Sequence, residues 1–319
     1  MDGVLVIDKP RDLTSHDVVA VARRVLGERR IGHTGTLDPL ATGVLPLACG
    51  RATRLVRFLT ASDKEYEATL RFGLTTDSYD VTGVETSRSG LSPDREAIER
   101  ALVKLTGSYL QTPPAFSAKR IAGRRAYEMA RADKVVALTP APVTVMRAEL
   151  ESFDGNIGRV RVVSSAGFYV RAFANSLGEL VGTGACLEAL RRTRSGDFAL
   201  ESGIGLDRLL DQGVLAALTA LVPLASLLPG FPAVTVSSEG RDRVSHGQEV
   251  EGDVTAGAAS ASRVAARPDP SSAAWPVRDS GPAPAPQEWV RLLDNSGHLI
   301  AIARPGSRPG FLHPAVVLI

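Results

Sequence analysis

Cysteine is scarce in this sequence, which contains only Cys49 and Cys186. Both lie in apolar surroundings, and their separation matches no metal-ligand spacing. We expect each to be a core residue of a protein that works in a reducing cytoplasm. The two cysteines therefore give no indication of a metal site.

Long apolar runs are also missing. No stretch reaches the roughly 20 residues that a membrane-spanning helix needs. The opening segment has an apolar run too short for a signal peptide, with Asp2 and Asp8 on either side of it. We therefore expect a cytoplasmic protein that is not associated with a membrane.

Net charge is small, because 37 Lys and Arg residues face 35 Asp and Glu residues and leave +2. This balance by itself does not indicate a nucleic-acid-binding protein, but its distribution is uneven. Residues 113–134 hold six Lys and Arg residues against two acidic ones, and Arg191, Arg192 and Arg194 form a second cluster. Each cluster is equally consistent with a solvated charged face.

The sequence also lacks the signatures of cofactor-dependent enzymes. It has no G-x-G-x-x-G segment, no Walker loop and no cluster of metal ligands. This absence is consistent with an activity that uses no metal, redox cofactor or nucleotide, and by itself it does not establish one.

What is present predicts an α+β protein of one or two domains. Lys64–Phe72 alternates, so that Tyr66, Ala68, Leu70 and Phe72 share one face of a strand. Other strands are predicted at residues 3–8, 44–48, 143–153 and 159–165, and helices at residues 15–26, 51–59, 92–106, 172–180 and 201–227.

The last third of the chain differs in composition. Pro229–Pro232 predicts a domain boundary. Residues 254–286 are dominated by Ala, Ser, Pro, Gly and Arg, which predicts a disordered or loosely held insertion. Residues 289–294 and 298–303 predict a hairpin around an Asn-Ser-Gly turn.

The stretch Gly32–Gly43 has the composition of a structured loop, with three glycines, one proline and three threonines. Glycine supplies backbone freedom and proline fixes φ. Asp38 precedes Pro39 and is therefore directed towards an extended conformation. The turn carries a single carboxylate, and on these grounds alone Asp38 is equally a turn-forming residue.

The residues GHTGTLDPLATGVLP (32–46) are similar to the signature of the TruB family of tRNA pseudouridine synthases. The resemblance covers roughly residues 3–200. It implies that Asp38 is the catalytic nucleophile and that the substrate is the T-arm of tRNA, in which uridine 55 is isomerised. His33 would help to hold the flipped base; the less favoured alternative is a loop histidine bonded to backbone.

Further segments resemble family motifs in the same order. KEYEA resembles the motif whose tyrosine, here Tyr66, lies under the target base and serves in catalysis. GFYVR resembles the motif whose arginine, here Arg171, pairs with the catalytic aspartate, and Tyr169 would line the pocket. ACLEALRRTR resembles the motif whose leucine, here Leu190, packs near the base.

The residues alone support these roles unevenly. Tyr66 fits a core position of a sheet, although an aromatic ring on a sheet also suits base stacking. Leu190 has the pattern of ordinary core. Arg171 at a helix start opposes the helix dipole, which indicates a specific anionic partner.

The resemblance implies the pseudouridine synthase catalytic fold over residues 1–228, a mixed, largely antiparallel sheet flanked by helices. Residues 229–319 would form a small β-rich PUA-like RNA-binding domain that contains the low-complexity insertion. Residues 111–138 would be a thumb-like insertion that closes over the RNA stem-loop. The protein would be a monomer, and the expected contacts with the RNA backbone are Lys119, Arg120, Arg124 and Arg125.

Two other functions stay open on the sequence. One is a non-catalytic RNA-binding or RNA-folding protein on the same scaffold. The other is a hydrolase that pairs Asp38 with Glu65 or Glu67. Those glutamates lie on the strand face opposite Tyr66, and a hydrolase leaves the basic segment unexplained.

Overall fold

The computed structural model describes residues 1–114, 120–121, 124–125, 138–252 and 289–319. They form two compact units, of which the first comprises residues 3–221 and the second residues 222–319. The domain limits at residues 228 and 229 stay a prediction. The insertion at 254–286 lies outside the described residues, as do Lys119 and the side chains of Arg120, Arg124 and Arg125.

Among the described residues, the first unit contains five α-helices and most of the strands. The helices are α1 (Ser15–Leu26), α2 (Val56–Thr60), α3 (Arg95–Lys104), α4 (Val170–Val181) and α5 (Leu206–Ala220). The strands are β1 (Gly3–Lys9), β2 (Ile31–His33), β3 (Ala41–Cys49), β4 (Lys64–Phe72), β5 (Leu74–Thr76), β6 (Glu85–Arg88), β7 (Gly107–Gln111), β8 (Arg120–Ile121), β9 (Arg124–Arg125), β10 (Ala141–Asp154), β11 (Ile157–Ser164), β12 (Ala185–Ser195), β13 (Phe198–Ala199), β14 (Ile204–Gly205) and β15 (Leu221–Pro223).

A large mixed sheet organises this unit, in the order β14-β1-β3-β12-β4-β11-β10-β7. Along this path only the β14–β1 and β3–β12 pairs are parallel. The middle of β1 is buried on both faces, whereas β4 alternates between buried and half-buried residues, as its sequence predicts. The predicted α+β fold with a mixed, largely antiparallel sheet is confirmed.

Helix α1 begins and ends where its sequence predicts. Thr14 caps the helix by accepting the backbone N–H of Asp17, and the Asp17 carboxylate accepts the N–H of Thr14 in return. Gly27 ends it in the left-handed conformation at φ 61°. The N-terminus of α1 thereby has a fixed position next to the Gly32–Gly43 loop.

Three predicted helices have different limits in the structure. The one predicted at residues 51–59 is a 3₁₀ helix over Gly50–Leu55 that continues as α2. The helix predicted from Ser92 begins at Arg95, because the Asp94 side chain accepts the N–H of Ala97 and acts as the cap. The prediction of helix over residues 201–227 is wrong at both ends. Only Leu206–Ala220 is α-helical, and Gly213 interrupts it with non-helical angles of φ 59° and ψ −132°.

Helix α4 packs on β12 through Gly178, and we predict that Gly178→Ala destabilises the protein. In a helix interior, alanine is more favourable than glycine by about 1 kcal/mol. Here, however, a Cβ atom at Gly178 would lie 2.0 Å from the backbone nitrogen of Ala185. Overpacking of this kind costs roughly 1–3 kcal/mol, so the free energy of unfolding in urea should fall.

Gly90→Ala is the matched control, because no atom lies within 4 Å of the added Cβ position there. We expect its unfolding midpoint to match the unsubstituted chain. A Gly178→Ala protein as stable as that control would show that α4 and β12 do not pack as closely as the structure has them.

The described residues of the second unit form the strands β16 (Ala233–Thr235), β17 (Val250–Glu251), β18 (Val290–Leu293), β19 (Leu299–Pro305) and β20 (Phe311–Val317) and the helix α6 (Ser238–Ser245). The strands make one sheet in the order β16-β18-β19-β20-β17. The predicted hairpin is confirmed as the antiparallel β18–β19 pair. None of the described helices, in either unit, has the length and apolar composition needed to cross a bilayer.

Candidate active site

The loop between β2 and β3 carries Asp38 and is fastened to the first helix. The Ser15 hydroxyl accepts the backbone N–H of Leu37 at 2.8 Å and lies 3.0 Å from the Leu37 carbonyl, to which it can donate. The Asp38 carbonyl accepts the N–H of Ala41 at 3.0 Å and closes a turn. The Leu37 side chain is buried, whereas that of Asp38 is 40% exposed. An anchored backbone therefore presents a single accessible carboxylate.

Arg171 lies in the first turn of α4 and reaches this carboxylate. Its Nε atom is 2.8 Å from Oδ2 of Asp38, and its Nη1 atom is 3.6 Å from Oδ2 of Asp80. Nη1 also donates to the Ser78 carbonyl at 3.2 Å. The side chain is only 6% exposed. The structure thus brings Asp38 and Arg171 together, as the helix-start argument requires.

Asp80 is a site residue that sequence analysis does not single out. It lies in a stretch with ordinary turn composition, Asp77–Gly83. Its Oδ1 atom accepts the hydroxyl and the backbone N–H of Thr82 at 2.5 and 2.9 Å, and the hydroxyl of Ser78 at 3.0 Å. The Asp80 carboxylate is buried and hydrogen-bonded, and it holds the Nη1 end of the Arg171 guanidinium. The one sequence feature that indicates an anionic partner such as Asp80 is the unfavourable position of Arg171 at a helix start.

Lys9 is a second residue that sequence analysis missed. Its side chain is fully buried, and Nζ donates to the carbonyls of Leu13 at 2.6 Å, Pro10 at 2.8 Å and Pro39 at 3.4 Å. Burial lowers the pKa of Lys9 to about 8, while the charge of Asp38 acts in the opposite direction. Lys9 therefore ties the end of β1 to the backbone directly after Asp38.

Tyr66 and Leu190 lie on one face of the sheet beside the loop. Ala68 of β4 pairs with Leu190 of β12, and Leu190 pairs with Ala41 of β3, three residues after Asp38. Tyr66 lies two residues before Ala68 on β4 and therefore on the same face of the sheet. Both side chains are 8% exposed. The sheet register thus brings the aromatic ring and the leucine of two separate motifs to the edge of the Asp38 loop.

Tyr169 is half-buried, and its backbone is held by Gln111, a further residue without a signal in the sequence. The Gln111 amide accepts the N–H of Tyr169 at 2.8 Å and donates to its carbonyl at 3.1 Å. Gln111 ends β7, where the segment predicted to form the thumb begins. This pairing positions the start of α4, and with it Arg171.

His33 is half-buried at the end of β2. Its ring packs edge to face against His16 with 5.6 Å between centroids. Burial lowers the pKa of His33, and positive charge on His16 and Arg192 lowers it further. Its Nδ1 atom is buried and has no hydrogen-bond partner among the described residues. The structure therefore favours a neutral imidazole whose Nδ1 atom is enclosed by the protein.

Glu65 and Glu67, the carboxylates of the hydrolase hypothesis, are engaged elsewhere. Arg161 of β11 contacts Glu65 at 2.8 Å and Glu67 at 2.9 Å. Both glutamates alternate with Tyr66 along β4, so they lie on the other face of the sheet. This arrangement gives Asp38 no carboxylate partner from β4 and disfavours a two-carboxylate hydrolase.

The cluster of Arg191, Arg192 and Arg194 is not the exposed basic face that its sequence suggests. Arg191 contacts Asp8 at 2.8 Å, and Arg194 lies 3.5 Å from Glu65. Arg192 is 1% exposed and therefore belongs to the interior. Alternation along β12 accounts for this, since it turns Arg192 to the face that carries Leu190.

Comparison with known proteins gives a consistent result. Residues 23–170 match the model of the TruB family pseudouridylate synthase, N-terminal domain. The "tRNA pseudouridine synthase B" of Solibacter usitatus is 41% identical, with all of both chains covered. The protein of the same name from Syntrophus aciditrophicus is 38% identical over 95% of this chain and 91% of that one.

Solved structures with this fold are more distant in sequence. A crystal structure of a Cbf5-Nop10-Gar1 complex matches with a TM-score of 0.69 at 22% identity, covering 100% of this chain and 85% of the other. An H/ACA RNP bound to a substrate RNA matches with a TM-score of 0.68 at 22% identity, covering 99% and 85%. These likenesses concern the fold. On the strength of the full-length relatives, the chain belongs to the TruB family of pseudouridylate synthases.

Proposed function

We infer that this protein is a tRNA pseudouridine synthase that isomerises uridine 55 in the T-arm to pseudouridine. The observation that carries this is the ion pair of Asp38 on an anchored loop with the buried Arg171. The reaction detaches uracil from C1′ of its ribose, turns it, and rejoins it through C5. It needs a nucleophile, a proton acceptor and a pocket that retains the freed base.

Asp38 is the nucleophile, because carboxylates are competent in covalent catalysis. The side chains of Arg171 and Lys9 are buried near Asp38 and carry positive charge. This charge balances the negative charge of the Asp38 carboxylate in a site that the bound RNA will close. Its exposure of 40% leaves it accessible to a nucleoside. The two catalytic partners are Arg171, which orients the carboxylate, and Tyr66, which accepts a proton.

The target base reaches this site only after it leaves its stack, which costs a few kcal/mol. Tyr66 stacks on the extruded uracil, while Leu190 and Tyr169 line the pocket around it. His33, at the end of β2, helps to hold the flipped arrangement. These four side chains come from four separate stretches of chain, so the pocket depends on the sheet register described above.

The tRNA backbone is held by basic residues that set its register without reading its sequence. Lys119, Arg120, Arg124 and Arg125 of the thumb supply part of this surface. Arg11 adds to this surface, since it lines both a cavity of about 210 Å³ that Leu190 also lines and a neighbouring cavity of about 470 Å³. The second unit acts as the PUA-like RNA-binding domain, and the protein works as a cytoplasmic monomer.

Replacing Lys119, Arg124 and Arg125 together by Ala is expected to weaken tRNA binding and to flatten its salt dependence. Each lost phosphate contact lowers the slope of log K against log salt by about 1. Binding would be measured between about 50 and about 300 mM salt. Arg95→Ala with Arg100→Ala on α3, where both arginines face glutamates four residues away, is the control. An unchanged slope in the triple variant would argue against phosphate contacts in the thumb.

The direct test of function is incubation with a uridine-labelled tRNA transcript, followed by nucleoside analysis. We expect one pseudouridine per tRNA and none in a transcript with cytidine at position 55. Intact uridine at that position after incubation with folded protein would contradict the proposed function.

A further inference from the structure

Arg192 is a buried arginine that bonds to the backbone rather than to a carboxylate. It is 1% exposed, and its Nε atom donates to the Val44 carbonyl at 2.7 Å. Its Nη2 atom donates to the Gly35 carbonyl at 3.1 Å. Arg191 and Arg194 contact carboxylates, whereas Arg192 forms no ion pair with any residue that the structure describes. Because burial of a charge without a counter-ion is costly, stability alone does not explain an arginine at this position.

The two carbonyls that Arg192 contacts lie on either side of Asp38 in the chain. Gly35 follows β2 and precedes Asp38, whereas Val44 lies in β3 and follows it. A guanidinium presents its N–H donors in a fixed planar fork, so one side chain can hold two carbonyls in a defined relation. Arg192 therefore joins both ends of the Asp38 loop and ties them to β12.

The backbone contact between β12 and β3 is short. Residues 190–192 of β12 pair with residues 41–43 of β3. At Gly43, with φ 99°, a Cβ atom would lie 2.2 Å from the Arg192 carbonyl oxygen, so only glycine allows this approach. The register of β12 with β4 then shifts between Arg192 and Arg194. Because the ladder is this short and ends beside a bulge, the side chain of Arg192 supplies much of the link between β12 and the loop.

The other anchors of the loop connect it to different elements. The Ser15 hydroxyl of α1 accepts the N–H of Leu37, which fixes the residue before Asp38 to the first helix. This contact does not set the distance between Asp38 and β12, the strand that carries Leu190. The two bonds of Arg192 are side-chain contacts that do connect the loop backbone to that strand.

We propose that Arg192 is a positioning residue for the reaction. Through the carbonyls of Gly35 and Val44 it holds the loop at the distance from Leu190 that lets Asp38 reach the bound nucleoside. This rests on the proposed function. Arg192 does not need to touch the RNA, because it acts through the loop backbone. A displacement of about 1 Å at a reacting group can cost about 100-fold in rate, so the loss of two hydrogen bonds behind the nucleophile is enough for a large effect.

The experiment compares Arg192→Gln and Arg192→Lys with the unsubstituted chain in single turnover at saturating tRNA, together with tRNA affinity and thermal unfolding. We expect Arg192→Gln to slow pseudouridine formation about 100-fold and to leave affinity nearly unchanged. Arg192→Lys should lose less, because the ammonium keeps a donor and the charge but lacks the planar fork. Amide hydrogen exchange at Leu37 and Ala41, whose N–H groups bond to Ser15 and Asp38, should become faster in both variants.

Arg291→Gln is the matched control. Arg291 lies in the second unit and also holds two carbonyls, through Nε to Phe231 at 3.1 Å and through Nη1 to Ala225 at 3.3 Å. Burial lowers the pKa of Arg291, as it does that of Arg192. We expect Arg291→Gln to lower the unfolding temperature, with no change in the rate at saturating tRNA and no change in amide exchange in the Asp38 loop.

An unchanged rate in the Arg192 variants would overturn the proposal and leave Arg192 as a core residue, and so would an equal slowing in Arg291→Gln. If Arg192→Gln does not fold, Arg192→Lys decides alone. A slower reaction with faster exchange at Leu37 supports the proposal, and values equal to those of the unsubstituted chain overturn it. Absence of pseudouridine with the unsubstituted chain would instead overturn the proposed function, while amide exchange would still show whether Arg192 holds the loop.

Discussion

Asp38→Asn is expected to reduce pseudouridine formation by about 10⁴-fold or more while tRNA still binds. The amide keeps the shape of the side chain and can still contact Arg171, but it cannot form the covalent bond that the reaction needs. Because Asp38 belongs to an anchored loop and is 40% exposed, the exchange should not disturb folding. Single-turnover nucleoside analysis and a parallel binding measurement separate the two effects.

Asp12→Asn is the matched control for this exchange. Asp12 is 86% exposed, and its backbone N–H donates to the Pro39 carbonyl at 2.8 Å, so the same chemical change is made beside the same loop. Its φ of 69° lies in the left-handed region, which asparagine tolerates well. We expect nearly unchanged turnover. Full activity in Asp38→Asn would refute the nucleophile assignment, and a non-catalytic RNA-binding protein would show no activity in either.

Arg171→Lys is expected to cause the next largest loss, about 100-fold in the rate of the chemical step. The guanidinium contacts Asp38, Asp80 and the Ser78 carbonyl at once, and a single ammonium group cannot reproduce that fork. The positive charge survives, so the loss reports displacement of the nucleophile. Asp80→Asn should reproduce part of this loss, because it releases the outer side of the same guanidinium.

Arg161→Lys is the control, since Arg161 also contacts several carboxylates, but on the other face of the sheet. We expect a small change in the unfolding midpoint and no change in the rate. The decisive measurement is the ratio of the two rate losses at matched stability. Equal losses would mean that any weakened ion network slows the enzyme, which would remove the special role of Arg171.

Local patterns in the sequence predict much of the fold. Strand β4 follows its alternation, and α1 follows its capping box and its terminal glycine. The helix predicted over residues 201–227 is too long because apolar spacing alone does not register Gly213 or the short strands on either side of α5. Composition describes what a segment can form, and contacts with the rest of the unit decide where it ends.

In the candidate site too, local sequence patterns predict some residues, and contacts between distant parts of the chain determine the others. Asp38, Tyr66 and Arg171 belong to recognisable motifs, whereas Asp80 and Lys9 have ordinary local surroundings. Their importance comes from contacts across long chain separations, such as Lys9 with Pro39 or Arg171 with Ser78. Arg192 is the strongest case, because three neighbouring arginines look alike in sequence and only strand alternation separates the buried one from the others.

The site can form only if β12 pairs with β4 in the correct residue register. A shift of one residue would send Arg192 outward and bring Arg191 into the interior opposite Tyr66, with Leu190 moved to the solvent side. Such a molecule could keep its helices and its compactness and still be inert. Refolded preparations that regain their spectroscopic signal should therefore be judged by turnover per molecule, which distinguishes correct strand alignment from mere collapse.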